Sequence, residues 1–408
     1  MASYTSNPFI DALTVGFRAS NTVIDYYLAP SGGAWTQVEA DAFARATALW
    51  SEVAGIRFRR VYDPADADFS ESIYSDAGSP GSLGSHELYI GDGKTIMDIE
   101  IGRWGTLDGL YNRAGYGWDE NDPNGGLVRG GLGFTTILHE IGHGIGLDHS
   151  HADHVDDPHV FPGVGTDTSA WGEHGLNAEL YTLMSYRDGP DLRPTYAGMV
   201  HNWGKAGGPM TFDIAAIQNL YGANTTTRTG DDIYVLPAAG GIGTYWTAIW
   251  DAGGTDTIVH GGGEDAVINL QSATLENAPG GGGYLSRVGN TYGGFTVAQG
   301  VVIENGIGGS GADTLRGNDA ANRLNGREGV DTILGADGND TLEGAAGQDN
   351  LAGGTGDDLL FASTEAAFSN YDWFEPFGTL VQASSANWIG PSTSLPTIDS
   401  AGEDGLFV

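Results

Sequence analysis

The sequence predicts an α+β domain, a mixed β-sheet with helices, followed by an all-β domain that is a parallel β-roll. Three observations support this order. Helical and strand-like hydrophobic periods occur before about Asn224, helical periodicity is lost after it, and a nine-residue repeat begins at Gly308. Glycine is also frequent, with 67 of 408 residues, roughly twice the average for a globular chain, which favours repeats and turns.

The N-terminal domain is predicted from helices and strands that follow one another. In AWTQVEADAFARATALWSEVA, apolar residues recur at three- and four-residue steps, and Thr36 with Glu39 forms a capping box at the start. The segments NTVIDYYL, residues 21–28, and TIMDIEI, residues 95–101, are typical of strands. A further helix, DIAAIQNLYG, is predicted over residues 213–222, ending at its glycine.

The all-β domain is predicted from six nonapeptides that run in register from Gly308. Each begins with glycine, and its apolar eighth residue is expected to point inward. Aspartates of successive turns would stack in rows, which suits calcium because it takes about six to eight oxygen ligands. Asn322 departs from this pattern in the second repeat. The alternative to a β-roll is a flexible glycine-rich linker, which would not keep six repeats in register. The predicted ligands in the repeats are Asp313, Asp331, Asp340, Asp349 and Asp358.

Composition excludes several classes of protein. The formal net charge of −36 opposes nucleic-acid binding, because a phosphate polymer would be repelled. The chain has no cysteine and therefore neither a disulfide framework nor a cysteine zinc site. No apolar run approaches membrane-spanning length, so no membrane insertion is expected, and the N-terminal residues lack the pattern of a cleaved secretory signal. Bound cations are expected to neutralise part of the charge.

The stretch HEIGHGIGLDH has the spacing of a catalytic zinc site. On a helix, His139 and His143 share one face, with Cβ atoms about 6 Å apart. Gly146 would let the chain bend back and bring His149 to the same metal. Three neutral nitrogens leave an open coordination position, which is typical of catalytic zinc, and Glu140 would act as general base. The alternative, a helix with incidental histidines, does not explain the glycine and the third histidine.

A second segment, YTLMSYR, fits a zinc site as well. Met184 lies 35 residues after His149, counted as 184 − 149. That spacing is within the range for a methionine turn beneath zinc. Ordinary core packing is the alternative role for such a methionine, but the neighbouring zinc motif favours the turn.

Taken together, these segments resemble the serralysins, secreted bacterial zinc metalloendopeptidases of the metzincin clan. The zinc motif, LMSY, DIAAIQNLYGAN with TTRTGD behind it, WDAGGTDT, GVVIENGIGGSGADTL and the nonapeptides occur in family order over about residues 21–361. The resemblance implies a metzincin-type protease domain with a mixed five-stranded sheet, one catalytic zinc ion, several structural calcium ions, and protein or peptide substrates. It also implies a C-terminal signal for type I secretion.

The resemblance assigns roles to individual residues. It implies that His139, His143 and His149 bind zinc and that Glu140 is the general base. It further implies that Tyr186 ligates zinc at rest and moves to stabilise the oxyanion during turnover. The calcium ligands that it implies at the domain junction are Arg228, Gly230, Asp232, Asp251, Gly253, Gly254, Asp256 and Glu304.

The predicted domain organisation has four parts. Residues 1–20 form a short N-terminal segment that is a candidate propeptide, and residues 21–224 form the zinc protease domain. Residues 225–361 form the β-roll, and residues 362–408 form a C-terminal segment that is a candidate type I secretion signal. One departure from the family lies beside the zinc motif, where Ser150 replaces the usual proline. The loop after it carries His151, His154, His159 and His174, for which a solvated acidic loop is favoured over a second metal site.

The sequence therefore predicts a secreted, extracellular, calcium-stabilised zinc endopeptidase that is monomeric. Two other functions stay open. One is a calcium-dependent surface or adhesion protein whose protease-like domain is inactive, although the presence of Glu140 and all three histidines opposes it. The other is a zinc hydrolase that acts on something other than peptide bonds, for which the sequence offers no pocket.

Overall fold

The computed structural model describes residues 5–14, 18–19, 21–87, 107–119, 121–151, 159–187, 203–361 and 379–382. The strand predicted at residues 95–101 and most of the C-terminal segment lie outside these ranges. Within them, no helix combines the length and the apolar character that a membrane span requires.

Four α-helices and five strands lie before residue 225 in the described part of the chain. The helices are α1 (Pro8–Ala12), α2 (Gln37–Val53), α3 (Leu132–Gly144) and α4 (Thr211–Tyr221), with short 3-10 turns at Pro64–Asp66 and Glu173–Gly175. The strands are β1 (Val23–Leu28), β2 (Arg57–Arg60), β3 (Phe69–Tyr74), β4 (Gly84–Glu87) and β5 (Leu107–Asn112).

These five strands form one mixed sheet in the order β2-β1-β3-β5-β4. Four strands are parallel, and β4 at the edge is antiparallel to β5. Helix α2 begins after Thr36, whose side chain accepts a hydrogen bond from the Glu39 amide while Glu39 accepts one from the Thr36 amide, so the predicted capping box is present. The buried Trp50 of α2 donates its Nε1–H to Leu138 O in α3 and thereby joins the two helices.

Helix α4 begins at Thr211, two residues before the predicted start at Asp213. The reason is that the Asp213 carboxylate accepts a hydrogen bond from the Met210 amide and so caps the helix from within its first turn. The helix ends as predicted at Gly222, which has φ +77°.

The N-terminal residues 5–14 pack into the core. Phe9 and Leu13 are fully buried, and the Phe9 ring stacks on Phe212 with centroids 4.5 Å apart. The Asp148 amide donates to Leu13 O at 3.0 Å, which ties this segment to the chain next to the third histidine. This packing favours a structural role for residues 5–14, and the propeptide interpretation of residues 1–20 stays a prediction.

The remaining described strands are short and mostly parallel. They are β6 (Ile233–Val235), β7 (Trp246–Ile249), β8 (Thr257–Val259), β9 (Ala266–Asn269), β10 (Arg287–Val288), β11 (Gly294–Val297), β12 (Asn305–Ile307), β13 (Thr314–Arg316), β14 (Arg323–Asn325), β15 (Thr332–Asp337), β16 (Thr341–Glu343), β17 (Asn350–Thr355), β18 (Asp357–Phe361) and β19 (Thr379–Gln382). One sheet has the order β10-β9-β13-β15-β17, a second has the order β19-β18-β16-β14-β12-β8-β6, and β7 pairs with β11.

Alternate nonapeptides, and not successive ones, stack on each other. Leu315 pairs with Ile333 and Ile333 with Leu351 in one sheet, whereas Leu324 pairs with Leu342 in the other. The expectation that successive turns stack was therefore wrong, because each repeat supplies one strand and two repeats complete a coil. The first row of sixth-position residues is Asp313, Asp331 and Asp349, and the second row is Asn322, Asp340 and Asp358. The eighth-position side chains are buried between the sheets as predicted.

Candidate metal centre

The three motif histidines converge on one point. Their Nε2 atoms are 3.1 Å apart for His139–His143 and for His143–His149, and 3.3 Å apart for His139–His149. Three nitrogens at about 2.0–2.1 Å from a tetrahedral ion would be about 3.3 Å apart. The three side chains therefore fit the geometry of one zinc ion.

Backbone carbonyls hold the outer nitrogens of two of these imidazoles. His139 Nδ1 lies 2.8 Å from Leu183 O, and His143 Nδ1 lies 2.9 Å from Leu147 O. Because a carbonyl only accepts, each Nδ1 carries the hydrogen, which leaves the Nε2 lone pair directed at the shared point. Burial lowers the pKa of His139 to about 3 and the pKa of His143 well below its usual value, so both stay neutral, as metal ligands must be.

Two glycines shape the chain around these histidines. Gly146 has φ +107°, a left-handed conformation that lets the chain leave α3 and return His149. At Gly142, a Cβ atom would lie 3.1 Å from Met184 Sδ. The fully buried Met184 therefore packs against the helix one residue before His143.

Asp213 fixes the turn that contains Met184, and the sequence analysis gave it no such role. Its carboxylate accepts hydrogen bonds from Thr182 Oγ1 at 2.6 Å and from the Leu183 amide at 2.7 Å. Burial raises the pKa of Asp213 to about 7, although the hydrogen bonds from Leu183, Thr182 and Met210 oppose this shift. Leu183 O in turn accepts a hydrogen bond from His139 Nδ1, so Asp213 links α4 to the first histidine. In the sequence, the signal that could have indicated this role was an aspartate in the first turn of α4.

Glu140 lies on α3 beside the edge strand β4. It is 6% exposed, and burial raises its pKa to about 7. The His86 amide of β4 donates to its carboxylate, and a Cβ atom at Gly84 would lie 3.0 Å from Glu140 Cγ. His86 Nε2 also lies 3.3 Å from Glu71 Oε1 in β3. No local pattern in the sequence points to Gly84, His86 or Glu71, because sheet pairing alone brings them next to α3.

Tyr186 lies over the histidines with 58% of its surface exposed. Its ring centroid is 4.8 Å from that of His149 and 5.8 Å from that of His139. The other histidines of the loop form no second group: within the described ranges, the metal-binding clusters are the three motif histidines and one set of aspartates. His154 lies outside the described residues.

That set of aspartates lies where the resemblance implies a calcium site. Carboxylate oxygens of Asp232, Asp251 and Asp256 lie within 4.8 Å of one another. The Asp256 amide donates to Glu304 Oε2 at 2.7 Å, which brings the fourth implied carboxylate beside them. Burial raises the pKa of Asp256 to about 6, and its buried Oδ2 has no hydrogen-bond partner among the described residues. A divalent cation would satisfy such an oxygen.

The backbone residues implied at this junction also lie together. Arg228 has φ +49°, and a Cβ atom at Gly254 would overlap Gly230 O. The Gly253 amide donates to Asp251 Oδ1 at 2.9 Å. These loops therefore approach each other backbone to backbone, as a site with carbonyl ligands requires.

In the roll, each stacked aspartate caps the turn one coil before it. Asp331 Oδ1 accepts from the Asp313 amide at 2.8 Å, and Asp358 Oδ1 accepts from the Asp340 amide at 2.9 Å. The second oxygen, Oδ2, of Asp331, Asp340 and Asp349 is buried without a partner in the described part of the chain. Burial raises the pKa of Asp331 and of Asp340 to about 6. The two rows thus offer buried oxygens that suit a divalent cation.

Steric contact explains why each repeat begins with glycine. At Gly335, a Cβ atom would overlap Asp340 Oδ2, and the other repeats show the same overlap with their sixth residue. The carboxylate therefore lies against the backbone at the start of its own turn. Any larger first residue would displace it.

Asn322 ends the second row differently. Its amide nitrogen donates to Glu304 O at 3.3 Å and to Asn318 Oδ1 at 3.0 Å, and its Oδ1 accepts from the Asn318 amide. Asn318 itself donates to Leu270 O and Ile303 O. Neutral amide hydrogen bonds thus fill this position, which agrees with its omission from the predicted calcium ligands.

Comparisons with known proteins connect both parts of the chain to one group. Residues 212–381 match the family model described as Peptidase M10 serralysin C terminal. The chain is 34% identical to a serralysin of Proteus mirabilis over 289 residues, covering 66% of this chain and 52% of that protein. It is 33% identical to metallopeptidase AprA of Pseudomonas marginalis over 288 residues, covering 68% of this chain and 53% of that protein. It is 36% identical to serralysin B of Dickeya chrysanthemi over 279 residues, covering 65% of this chain and 50% of that protein.

The chain spans about half the length of these relatives. Similarity nevertheless extends over about two thirds of its own residues, and the family match covers the region of the stacked aspartates. Residues 212–381 belong to the serralysin C-terminal family, and the chain is a relative of the serralysins.

Proposed function

We propose that this chain is a secreted zinc endopeptidase with a metzincin-type catalytic domain and a calcium-stabilised β-roll. The observation that carries the proposal is the convergence of three histidine Nε2 atoms within 3.3 Å of one another, with Glu140 on the same helix. The names of the relatives, serralysin and metallopeptidase, support the same activity.

Zinc at the three histidines would act as a Lewis acid that polarises the scissile carbonyl and lowers the pKa of water. Glu140 takes a proton from the attacking water while the water oxygen forms a bond to the carbonyl carbon. It then delivers this proton to the amide nitrogen as the C–N bond breaks, and the second water proton passes from the new carboxyl group to the amine, so that the products are a carboxylate and an ammonium group. Burial raises the pKa of Glu140, whereas the charge of a zinc ion at the histidines would lower it and favour the carboxylate that accepts the proton.

Tyr186 is the proposed oxyanion donor. Its ring lies over His139 and His149 and is more than half exposed, so a small rotation would bring its hydroxyl to the substrate oxygen or away from it. A hydrogen bond to the developing negative charge would stabilise the transition state more than the ground state.

The edge strand β4 supports an extended peptide as substrate. It is the last strand of its sheet in the described ranges, and its backbone lies against Glu140. A peptide that adds to this edge would place its backbone next to the catalytic residues. Protein and peptide substrates are therefore proposed, and a non-peptide substrate is not favoured.

The proposed calcium ligands are the junction group and the repeat aspartates. Where calcium is scarce, ionised carboxylates in the two rows would oppose closure of the roll, and calcium outside the cell would close it. This behaviour, with the proposed type I signal at residues 362–408, supports an extracellular location.

The test is casein cleavage by the purified protein with zinc and calcium, beside Glu140→Ala. We expect the wild type to cleave casein and the variant to bind one zinc ion per chain while losing cleavage by about 10²–10⁴-fold. Cleavage that persists in Glu140→Ala would exclude this residue as the base. A folded, zinc-loaded wild type that does not cleave would favour the adhesion-protein alternative.

A further inference from the structure

A fourth imidazole lies directly behind the three-histidine group. His151 is 4% exposed, and its ring stacks nearly parallel on His149, with centroids 4.7 Å apart and an interplanar angle of 16°. Its nitrogens do not join the cluster of ligand atoms formed by His139, His143 and His149. His151 therefore contacts a proposed metal ligand without being one in this geometry.

The same imidazole also contacts Tyr186. The two ring centroids are 4.6 Å apart, closer than the 4.8 Å to His149 or the 5.8 Å to His139. Tyr186 is mostly exposed, whereas His151 is buried beneath it. Of these three imidazoles, His151 thus gives the tyrosine ring its nearest support.

The backbone holds His151 in place relative to Tyr186. The Ser150 amide donates to Met184 O at 3.3 Å, and the Ser150 hydroxyl donates to Asn177 Oδ1 at 2.6 Å. The Phe161 amide donates to Ser150 O at 3.0 Å. The segment with His149 and His151 is therefore tied to the turn that leads into Tyr186.

We propose that His151 is a positioning residue that holds the Tyr186 ring over the three-histidine site. It acts by packing against both His149 and Tyr186, whose rings also contact each other, and this inference rests on the proposed role of Tyr186. Without the imidazole, the exposed tyrosine would occupy more rotamers, and its hydroxyl would spend less time near the metal and the substrate oxygen.

The first test measures the position of Tyr186 without catalysis. Imidazole sites also bind Cu²⁺, and a tyrosinate near Cu²⁺ gives a visible charge-transfer band. We expect this band in the copper-loaded wild type, its loss in Tyr186→Phe and its weakening in His151→Ala. His151→Phe, which keeps a flat ring, should restore most of it. His174→Asn, a change at an exposed histidine with φ +55°, should leave the spectrum as in the wild type.

The second test is a double-mutant cycle on casein cleavage. His151→Ala should lower kcat about threefold to tenfold, the factor that a lost aromatic contact is worth, with little change in KM. In a Tyr186→Phe background the same substitution should have little further effect, because its partner is already altered.

Two results would overturn the proposal. One is a tyrosinate band that is as strong in His151→Ala as in the wild type, or that is absent from the wild type. The other is an equal loss of kcat from His151→Ala with and without the Tyr186 hydroxyl, which would show a purely structural role. Failure of the proposed protease activity is distinguishable, since a wild type that does not cleave casein can still show the tyrosinate band and its dependence on His151.

Discussion

The three-histidine group and the rows of aspartates bury side chains of different charge. In the histidine group, which is the proposed zinc site, the imidazoles of His139 and His143 are neutral, and carbonyls of the protein itself fix their outer nitrogens. In the rows, Asp331, Asp340 and Asp349 each bury a carboxylate oxygen that finds no partner in the described structure. A neutral ring costs little to bury once it is hydrogen-bonded, whereas a carboxylate without a partner costs several kcal/mol or shifts its pKa.

If both proposed metals bind, this difference predicts which part of the molecule needs its metal in order to fold. The histidine site is already assembled by contacts from α3, α4 and the methionine turn, so zinc would add chemistry to a folded scaffold. The rows lack the positive charge that would make their carboxylates stable inside the roll. We therefore expect zinc to be needed for activity and much less for folding. We expect calcium to be needed chiefly for folding of the roll.

Selective chelation should give the largest effect. Removal of calcium should strongly lower the melting temperature of the roll, because the buried carboxylates lose their counter-ion. Removal of zinc alone should abolish cleavage and leave most of the structure. Circular dichroism melts and casein assays after each chelation would test this, and a roll that melts at the same temperature without calcium would contradict it.

Gly335→Ala should destabilise the calcium-loaded roll by about 1–3 kcal/mol, the usual cost of overpacking a tight contact. The new methyl group would displace the Asp340 carboxylate from the start of its turn. Gly261→Ala is the matched control, since nothing lies within 4 Å of a Cβ atom there. Urea unfolding of both variants in calcium measures the difference, and equal midpoints would contradict the steric argument.

Asp213→Asn should weaken zinc binding about tenfold, the low end of the effect of partners that orient metal ligands. The amide group would present donors to the Leu183 amide, which now donates to the carboxylate, and Leu183 O would no longer hold His139 as firmly. Competition with a zinc chelator measures the affinity. Asn219→Ala, at an exposed position of α4, is the control, and a similar loss there would show that the helix as a whole was disturbed.

The smallest effect concerns the pH dependence of the calcium-free roll. The folded-state pKa of Asp331 and of Asp340 is raised from 3.8 to about 6. The folded roll therefore binds more protons than the unfolded chain between these values, and its stability falls as the pH rises from about 4 to about 6. Without calcium, the roll should melt a few degrees higher at about pH 5 than at about pH 7. A reversed order would contradict the assignment, and Asp340→Asn should reduce the difference.

The sequence predicted the parts of both regions that depend on local spacing. The four-residue step from His139 to His143 places both side chains on one helix face, and the bend at Gly146 needs only a glycine. Likewise, the nine-residue period predicted short strands with inward eighth residues, and Thr36 with Glu39 predicted the start of α2. These features follow from backbone geometry within a few residues, so a single sequence contains them.

The tertiary structure decided which distant residues support those motifs. Asp213 beneath the methionine turn, β4 beside Glu140, and His151 against Tyr186 all depend on contacts between segments far apart in the chain. The same holds for the alternation of repeats between two sheets, which sorts the aspartates into two rows. A repeat or motif fixes local conformation, but its neighbours across a sheet or loop are chosen by packing and hydrogen bonding of the whole fold.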